Sequence, residues 1–486
     1  MNETQRAQVR DNARYLRQVR PIDPAEIHEY VEGQPHPAAV RQVLREVAPE
    51  LGLLERADGR FEPAPEDPLA PAFDGVDALP ERVERAVEEL LVERFGPGWP
   101  DGDSGACLRR TIRDFKQRYL LGAPVTYDEE TALGYAIYHL PSYFAAVQYV
   151  LADLAAADLL GRHLRVLDVG AGVGGPALGL TDLLAPDGLV EYHAVEPSAA
   201  ASVLSALLET TGRNVHPTVH REPIETFDPP VEAFDLVVFS NVLSELDDPG
   251  RQVERAVGWL DPEGSVVALA PADRETAIGL RQVERAVEAS SDATVYAPTV
   301  RLWPHERPAG TSWSFDRKPS LAVPAFQRRL DEGARTEGEL ADGGGSGEDD
   351  TDGRQPGDGE FVNVDVQFAY SVLRCDGERA VRFRPTQGSV AKLAASERHV
   401  TERIDCAVLK LSPDLSEGGN PLFLVGDGSQ EVDHFAVVTE STPLNRALVD
   451  ATYGELLFIE HALVLWNDDE GAYNLVVDGE TIVDRG

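Results

Sequence analysis

The sequence predicts an α/β protein with a Rossmann-like domain in the middle, a winged-helix-like unit before it and an OB-like β-barrel after it. Three observations carry that expectation. Strand-like and helix-like segments alternate from Arg165 to Val300, the sign of a parallel sheet with crossover helices. One apolar strand runs into a turn built on Gly170, Gly172 and Gly174. Beyond Phe361 the chain becomes mainly a succession of strands.

Residues 1–63 read as a small unit. Arg6, Arg10, Arg14 and Arg17 recur at helical spacing, and residues 24–31 and 37–51 read as two further helices. Asp58-Gly59 then sits between two short extended runs, a hairpin signal. Three helices and a hairpin resemble a winged helix-turn-helix, which binds nucleic acid or protein through its third helix and wing. A plain helical cap with solvated arginines is the alternative. Residues 64–78 are proline-rich and read as a linker. Residues 79–375 form the main domain, interrupted at 337–360 by an acidic, glycine-rich insertion expected to be disordered.

Residues 376–486 supply strands at 406–411, 422–425, 434–438, 456–465 and 473–477, with helix-like residues 443–451 before the fourth. That order resembles an OB-fold, a barrel often used to hold oligonucleotides.

Composition narrows the possibilities. A chain of 486 residues, 42% hydrophobic, needs more than one core and is not globally disordered. It lacks an apolar run near the ~20 residues of a membrane span, and its polar start lacks a secretory signal, so a cytoplasmic protein without membrane partners is expected. Cys107, Cys375 and Cys406 lie far apart, and no pair has metal-ligand spacing. The charge is −40, from 84 acidic and 44 basic residues, and only four of the basic residues are lysines. Such a composition looks haloarchaeal, where carboxylates keep a surface hydrated in high salt. Against that background residues 108–119 stand out. Arg109, Arg110, Arg113 and Lys116 are candidate RNA-phosphate contacts there; pairing with nearby carboxylates is the competing reading.

The glycine turn defines a cofactor site. The strand Leu164-Arg-Val-Leu-Asp168-Val leads into Gly170-Ala-Gly172-Val-Gly174. Glycine is needed where the backbone turns tightly and lies against a ligand. The next strand ends in Glu196, a carboxylate placed to accept two ribose hydroxyls. Glu222 follows the third strand, and Ser240 closes the fourth. This order resembles class I S-adenosylmethionine methyltransferases over about 140 residues. The cofactor residues are then Asp168, Gly170, Gly172, Gly174, Glu196, Glu222 and Ser240, with an NAD-binding Rossmann domain as the alternative.

Further residues resemble one family, the methyltransferase-like proteins of the mitochondrial small ribosomal subunit with their bacterial and archaeal relatives. They include Pro141-Ser-Tyr-Phe-Ala-Ala, Asp235-Leu-Val-Val-Phe-Ser-Asn-Val-Leu-Ser-Glu-Leu246, Tyr296-Ala-Pro298, Trp303-Pro-His305, Trp313-Ser-Phe315 and Phe368-Ala-Tyr-Ser-Val-Leu373. The resemblance implies work on the small subunit or its precursor rRNA, as methyltransferase or maturation factor, without DNA. Many relatives carry cysteines for an iron–sulfur cluster after the Ala-Pro element; here residues 299–315 hold none, so no metal is expected. Trp303, Trp313 and Phe315 beside Arg301, Arg307 and Arg317 suggest an RNA-stacking surface, against core packing.

The transfer chemistry is less defined. No lysine lies between Lys116 and Lys318 to serve as a base for ribose methylation. Asn241 can accept an amine hydrogen and Glu245 can act as a base; helix capping by Ser240 or Asn241 with Ser244 and Glu245 is the competing role. The function classes left are an rRNA methyltransferase, a non-catalytic assembly factor that binds S-adenosylmethionine, and a small-molecule methyltransferase.

Overall fold

A computed structural model describes residues 1–231, 233–341, 359–386, 388, 390–416 and 418–486. The chain forms two compact units: Met1–Ser240 with Pro319–Val366, and Asn241–Lys318 with Gln367–Gly486. The boundaries expected at 63 and 78 fall inside the first unit, and that at 375 inside the second.

The first unit opens with three helices, α1 (Glu3–Leu16), α2 (Pro24–Ile27) and α3 (Pro37–Leu51). A capping box starts α1: Asn2 accepts from the Gln5 amide, and Gln5 accepts in return from Asn2. Gly52 ends α3 at φ 61°. Strands β1 (Leu53–Glu55) and β2 (Phe61–Pro63) pair antiparallel across Gly59, and Ile22 bridges to Phe61. This is the winged-helix-like pattern. Its arginine stripe stays exposed at Arg6, Arg10 and Arg14 but is paired there with carboxylates of α3. Arg6 pairs with Glu46, Arg10 and Arg14 with Glu50, and Arg17 donates to the Leu51 carbonyl, so α1 is tied to α3.

The segment expected to be a linker packs along the unit. Leu69 is buried and its amide donates to the Leu160 carbonyl at 2.7 Å. Phe73 meets the Tyr149 ring edge-on, and the Val76 amide donates to the Tyr149 hydroxyl. Helices α4 (Glu81–Phe95), α5 (Gly102–Leu120), α6 (Glu129–Tyr138) and α7 (Leu140–Ala156) follow.

The sheet then begins, with β3 (His163–Val169), α8 (Gly175–Leu184), β4 (Leu189–Val195), α9 (Ala200–Leu208), β5 (Val215–His220) and β6 (Phe234–Ser240). These strands lie parallel in the order β5-β4-β3-β6. Most residues of β3, β4 and β6 are buried, as parallel strands covered on both faces require. Asn214 exchanges two hydrogen bonds with the Glu55 backbone, and Leu189 joins the winged-helix core, which fixes the N-terminal unit to the sheet.

The second unit starts with α10 (Pro249–Val257), β7 (Leu260–Pro271), α11 (Arg274–Ser290), β8 (Thr294–Ala297) and β9 (Asp316–Lys318). After α12 (Ala325–Ala341), which belongs to the first unit, β10 (Val366–Arg374) runs antiparallel to both β7 and β8. Of the insertion expected at 337–360, residues 342–358 lie outside the described residues. Residues 337–341 continue α12, and Glu360 is fixed by Arg113.

The C-terminal strands are β11 (Arg403–Lys410), β12 (Leu422–Gly426), β13 (His434–Val438), β14 (Leu456–Asn467), β15 (Ala472–Val477) and β16 (Ile482–Arg485), with α13 (Arg446–Asp450) between β13 and β14. The order β11-β12-β13-β15-β14 closes because β14 pairs back onto β11; β13 and β15 are parallel. This closed five-stranded barrel has the OB-like form. Cys406, Val408, Val425, Leu457, Val464 and Leu475 fill it, and Leu448 of α13 packs into the same core. The sixth strand, β16, was not expected and pairs with β14.

Helices α7 and α8 pack closely at Gly179. A side-chain carbon at Gly179 would strike the Phe144 carbonyl oxygen and lie 2.7 Å from Val147. Gly179→Ala should therefore cost about 1–3 kcal/mol, the usual range for forced overpacking. Urea unfolding of the full chain measures it; an unchanged midpoint would show that these helices yield without cost.

Candidate functional site

The loop between β3 and α8 holds three alternate glycines in the left-handed region, Gly170 at φ 67°, Gly172 at 54° and Gly174 at 93°. They serve different ends. At Gly174 a side chain would lie 2.6 Å from Leu204, and at Gly175 3.0 Å from the Leu140 carbonyl, so both keep the helix close to its neighbours. At Gly172 a side chain would have only the Gly170 carbonyl at 4.0 Å. The protein leaves that side of the loop open, as a ligand lying against the backbone requires.

Glu196 braces the loop from the end of β4. One carboxylate oxygen accepts the Gly172 amide at 2.9 Å and the other the Ser198 amide at 2.8 Å. The Gly170 amide donates to the Val195 carbonyl at 2.9 Å. Each Glu196 oxygen keeps a second lone pair for a hydroxyl donor. Glu222 follows β5 half-buried, and Ser240 ends β6, 8% exposed.

Asp168 is buried within β3. One oxygen accepts the Tyr192 hydroxyl; the other is buried without a hydrogen-bond partner. Burial pushes its pKa up to about 7, the Tyr192 hydrogen bond opposes the shift and the Glu196 charge adds to it. An unmatched buried acceptor beside an open glycine loop fits a ligand that brings an N–H donor.

Sequence reading missed an aromatic wall beside this loop. Tyr135, His139 and Tyr143 are four residues apart across α6 and α7 and share one face. Tyr135 and His139 lie 4.8 Å apart, and His139 stacks on Tyr143 at 5.2 Å. Tyr127 meets Tyr135 at 5.0 Å, and its carbonyl accepts the Ala199 amide just after Glu196. The His139 pKa is held down to about 3, first by burial and then by the Lys116 charge, so the ring is neutral at ordinary pH. The four-residue spacing was the available signal.

The RNA-contact candidates on α5 are corrected. Arg109 is 1% exposed and donates to the carbonyls of Pro100 and Leu330. Arg113 forms a two-pronged pair with Glu360, and Lys116 reaches the Glu360 carbonyl and the Tyr138 ring. Arg110 alone of the four stays in the exposed class without such a described partner. The aromatics expected to form a surface at 303–317 are half-buried or buried, while Arg307 and Arg317 stay exposed. Trp303 donates to Asp427, Trp313 donates to the Ala272 carbonyl, and Phe315 and Arg301 are buried. His305 is exposed.

Asn241 and Glu245 belong to the second unit. Asn241 adopts φ 59°, which asparagine tolerates better than most residues, and its amide donates to the Leu269 carbonyl. Glu245 is exposed at the end of a 3-10 turn, Leu243–Glu245. The expected capping role is also corrected: α10 starts at Pro249, and Asp248 caps it by accepting from Arg251. Among the described residues no cluster of His, Cys, Asp or Glu is arranged to hold a metal ion, and no helix is long and apolar enough to cross a membrane.

Residues 167–266 match a methyltransferase domain family. Residues 6–57 and 394–486 match the N- and C-terminal domains of a family described as a domain of unknown function, DUF8157. A comparison with curated proteins finds no match. Among solved structures, the CcbJ methyltransferase from Streptomyces caelestis is 25% identical over 29% of this chain and 51% of its own, with a TM-score of 0.21. The chain thus spans about half the length of that protein. The plantazolicin methyltransferase BpumL, crystallised with a pentazolic desmethylPZN analog and SAH, is 10% identical over 60% of this chain and 97% of its own, at TM-score 0.30. A methyltransferase from Clostridium acetobutylicum is 14% identical over 36% and 61%, at TM-score 0.23.

The fold is that of a class I methyltransferase, and the matched domain is a methyltransferase domain. Its cofactor is S-adenosylmethionine, and the open face of Gly172 and the unmatched Asp168 oxygen fit such a group.

The raised Asp168 pKa fixes a pH dependence. The folded value, about 7, exceeds the ordinary 3.8, so this group's stabilising contribution is complete below pH 4 and is lost as pH rises through 7. Asp168→Asn removes that loss. The variant should gain about 2–4 kcal/mol relative to the parent between pH 4 and pH 8, measured by denaturant unfolding without cofactor. A pH-independent difference between the two proteins would refute the assignment.

Proposed function

We propose that this chain is an S-adenosylmethionine-dependent methyltransferase-like protein that acts on the small ribosomal subunit, methylating its rRNA or assisting its maturation. One observation carries the RNA substrate: a closed OB-like barrel stands in the same chain as the methyltransferase domain. A small acceptor has no need of such a barrel, whereas single-stranded RNA is commonly held on one. The α5 helix lends this reading less support, because Arg109 is buried and Arg113 and Lys116 are held by Glu360, which leaves Arg110. In its place the barrel offers Trp466, backed by a cross-strand aromatic row that ends at the buried His434. Trp466, 40% exposed, meets Tyr473 at 4.8 Å, and Tyr473 stacks on His434 at 5.0 Å. Stacking of this kind tolerates any base and does not depend on surface charge.

In this reading Glu196 holds the ribose, the Gly170–Gly174 backbone lies against the cofactor, and Asp168 accepts an N–H from it. Glu222 stands on the adenine side, and Ser240 bounds the pocket after β6. Bound S-adenosylmethionine supplies the electrophilic methyl group. The chain's own work is to exclude water and position the acceptor, with the wall of Tyr127, Tyr135, His139 and Tyr143 enclosing it. Asn241 is the candidate to accept an amine hydrogen from the acceptor, and Glu245 the candidate base. The exposure of Glu245 favours a second reading, an assembly factor that binds the cofactor without transferring its methyl.

Calorimetry tests the cofactor site. Wild type should bind S-adenosylmethionine, Glu196→Gln should bind it about tenfold more weakly, and Gly172→Arg should abolish binding by filling the open face. Undiminished binding by a folded Gly172→Arg protein would exclude this loop. Gradient sedimentation of lysate tests the ribosomal assignment. The protein should travel with small-subunit particles or their precursors, and Trp466→Ala should shift it toward the top. Wild-type protein that never leaves the top would move the small-molecule class ahead. Mass spectrometry of rRNA from a deletion strain and its parent then separates methyltransferase from assembly factor.

A further inference from the structure

The second unit contains a buried cluster of guanidinium groups that the methyltransferase reading does not use. Arg281 and Arg285 lie on α11, Arg301 follows β8, and Arg379 follows β10. Two carboxylates face them. Glu284 accepts from Arg281 at 2.8 Å, and Glu288 accepts from Arg301 at 2.6 Å and from Arg379 at 3.4 Å. Arg281 also donates to the Tyr370 carbonyl, and Arg285 to the Gly310 carbonyl at 2.7 Å.

These partners do not satisfy the cluster. Both terminal nitrogens of Arg301 are fully buried without a hydrogen bond; one of them lies 3.7 Å from the Glu284 carboxylate. The Nε atoms of Arg281 and Arg285 and the Nη1 of Arg379 are buried in the same condition. The Arg301 side chain is only 4% exposed. Four arginines against two glutamates leave a surplus of two positive charges. Asp433 lies within electrostatic reach of Arg285 and Arg384 within reach of Arg379, one charge of each sign, so the surplus stands. Burial, against the pull of Glu284 and Glu288, lowers the pKa of Arg285 and Arg379 from the ordinary value, and the Arg301 charge adds to both shifts.

Arginine cannot relieve this by losing a proton in the ordinary pH range. A buried cationic surplus with unmatched donors needs an anion, and planar guanidinium forks match the oxygens of a phosphate group two at a time. We propose that Arg301, Arg285 and Arg379 form a binding site for a phosphate-class oxyanion, separate from the cofactor loop and taken either from solution or from an RNA backbone. Arg379 is the member nearer solvent, its side chain 26% exposed against 4% for Arg301.

Thermal unfolding of the full chain at constant ionic strength, with inorganic phosphate replacing chloride, tests the site. Phosphate should raise the midpoint saturably, by about 2 °C or more, and Arg301→Gln and Arg379→Gln should each abolish the rise. Arg251→Gln, on α10, should keep it. If Arg301→Gln fails to fold by circular dichroism, Arg379→Gln carries the test. No saturable rise in wild type, or a full rise in folded Arg379→Gln, overturns the proposal. Anisotropy with a short unstructured RNA distinguishes the sources. RNA binding displaced by phosphate and weakened in Arg379→Gln assigns the site to a phosphodiester; RNA binding indifferent to both, with the thermal effect intact, assigns it to the free ion.

Discussion

Carboxylates outnumber cations in this chain by 84 to 44, and that imbalance decides where the arginines go. Many exposed arginines pair with a carboxylate. The cheapest arrangement spends each cation on joining two elements. Arg10 and Arg14 hold α1 to α3 through Glu50, Arg113 holds α5 to Glu360, and Arg329 holds α12 to Glu88 of α4. Surface pairs of this kind contribute little individually. Their structural effect is to tie cations to neighbouring carboxylates, so the nucleic-acid recognition proposed above would rest on rings, backbone shape or enclosed sites. The guanidinium cluster beside α11 is the exception, because its cations exceed its carboxylates.

The cofactor loop shows a second economy. Glu196, which the proposed site offers to a ligand, already accepts two backbone amides. Those bonds fix its orientation before any ligand arrives, so little freedom remains to be lost on binding. The same carboxylate holds the loop in its left-handed turns and raises the pKa of Asp168 through its charge. Loop geometry, ligand orientation and proton affinity are therefore coupled through one side chain.

Much of the fold was legible because its signals are periodic. The parallel strands are apolar runs bounded by turns, and the barrel strands fall within a few residues of their expected places. The glycine spacing and Glu196 were equally readable, since a positive φ and a strand-terminal acid leave local marks. Partner choice left none. Nothing near Arg109 in sequence announces that Leu330 supplies a carbonyl to it. Nothing near Trp303 announces Asp427. The proline-rich stretch at 64–78 has the composition of a tether, but Leu69 and Val76 are anchored by residues far along the chain. The aromatic wall was missed for another reason: the short break between α6 and α7 hides the continuity of its four-residue repeat.

The first unit is assembled from two separated stretches of chain, which bears on the order of events during synthesis. Gln327 of α12 is fully buried and donates to the Ile137 carbonyl, and Leu330 completes the environment of Arg109. Until α12 is made, the α5–α6 region holds a guanidinium and a carbonyl that await partners more than a hundred residues downstream. The parallel sheet has by then already been translated. A nascent chain that pauses between β6 and α12 therefore presents a nearly complete sheet with an unfinished helical flank. Such a state invites holding factors or premature association, and the helix that ends it arrives just before the acidic stretch at 342–358.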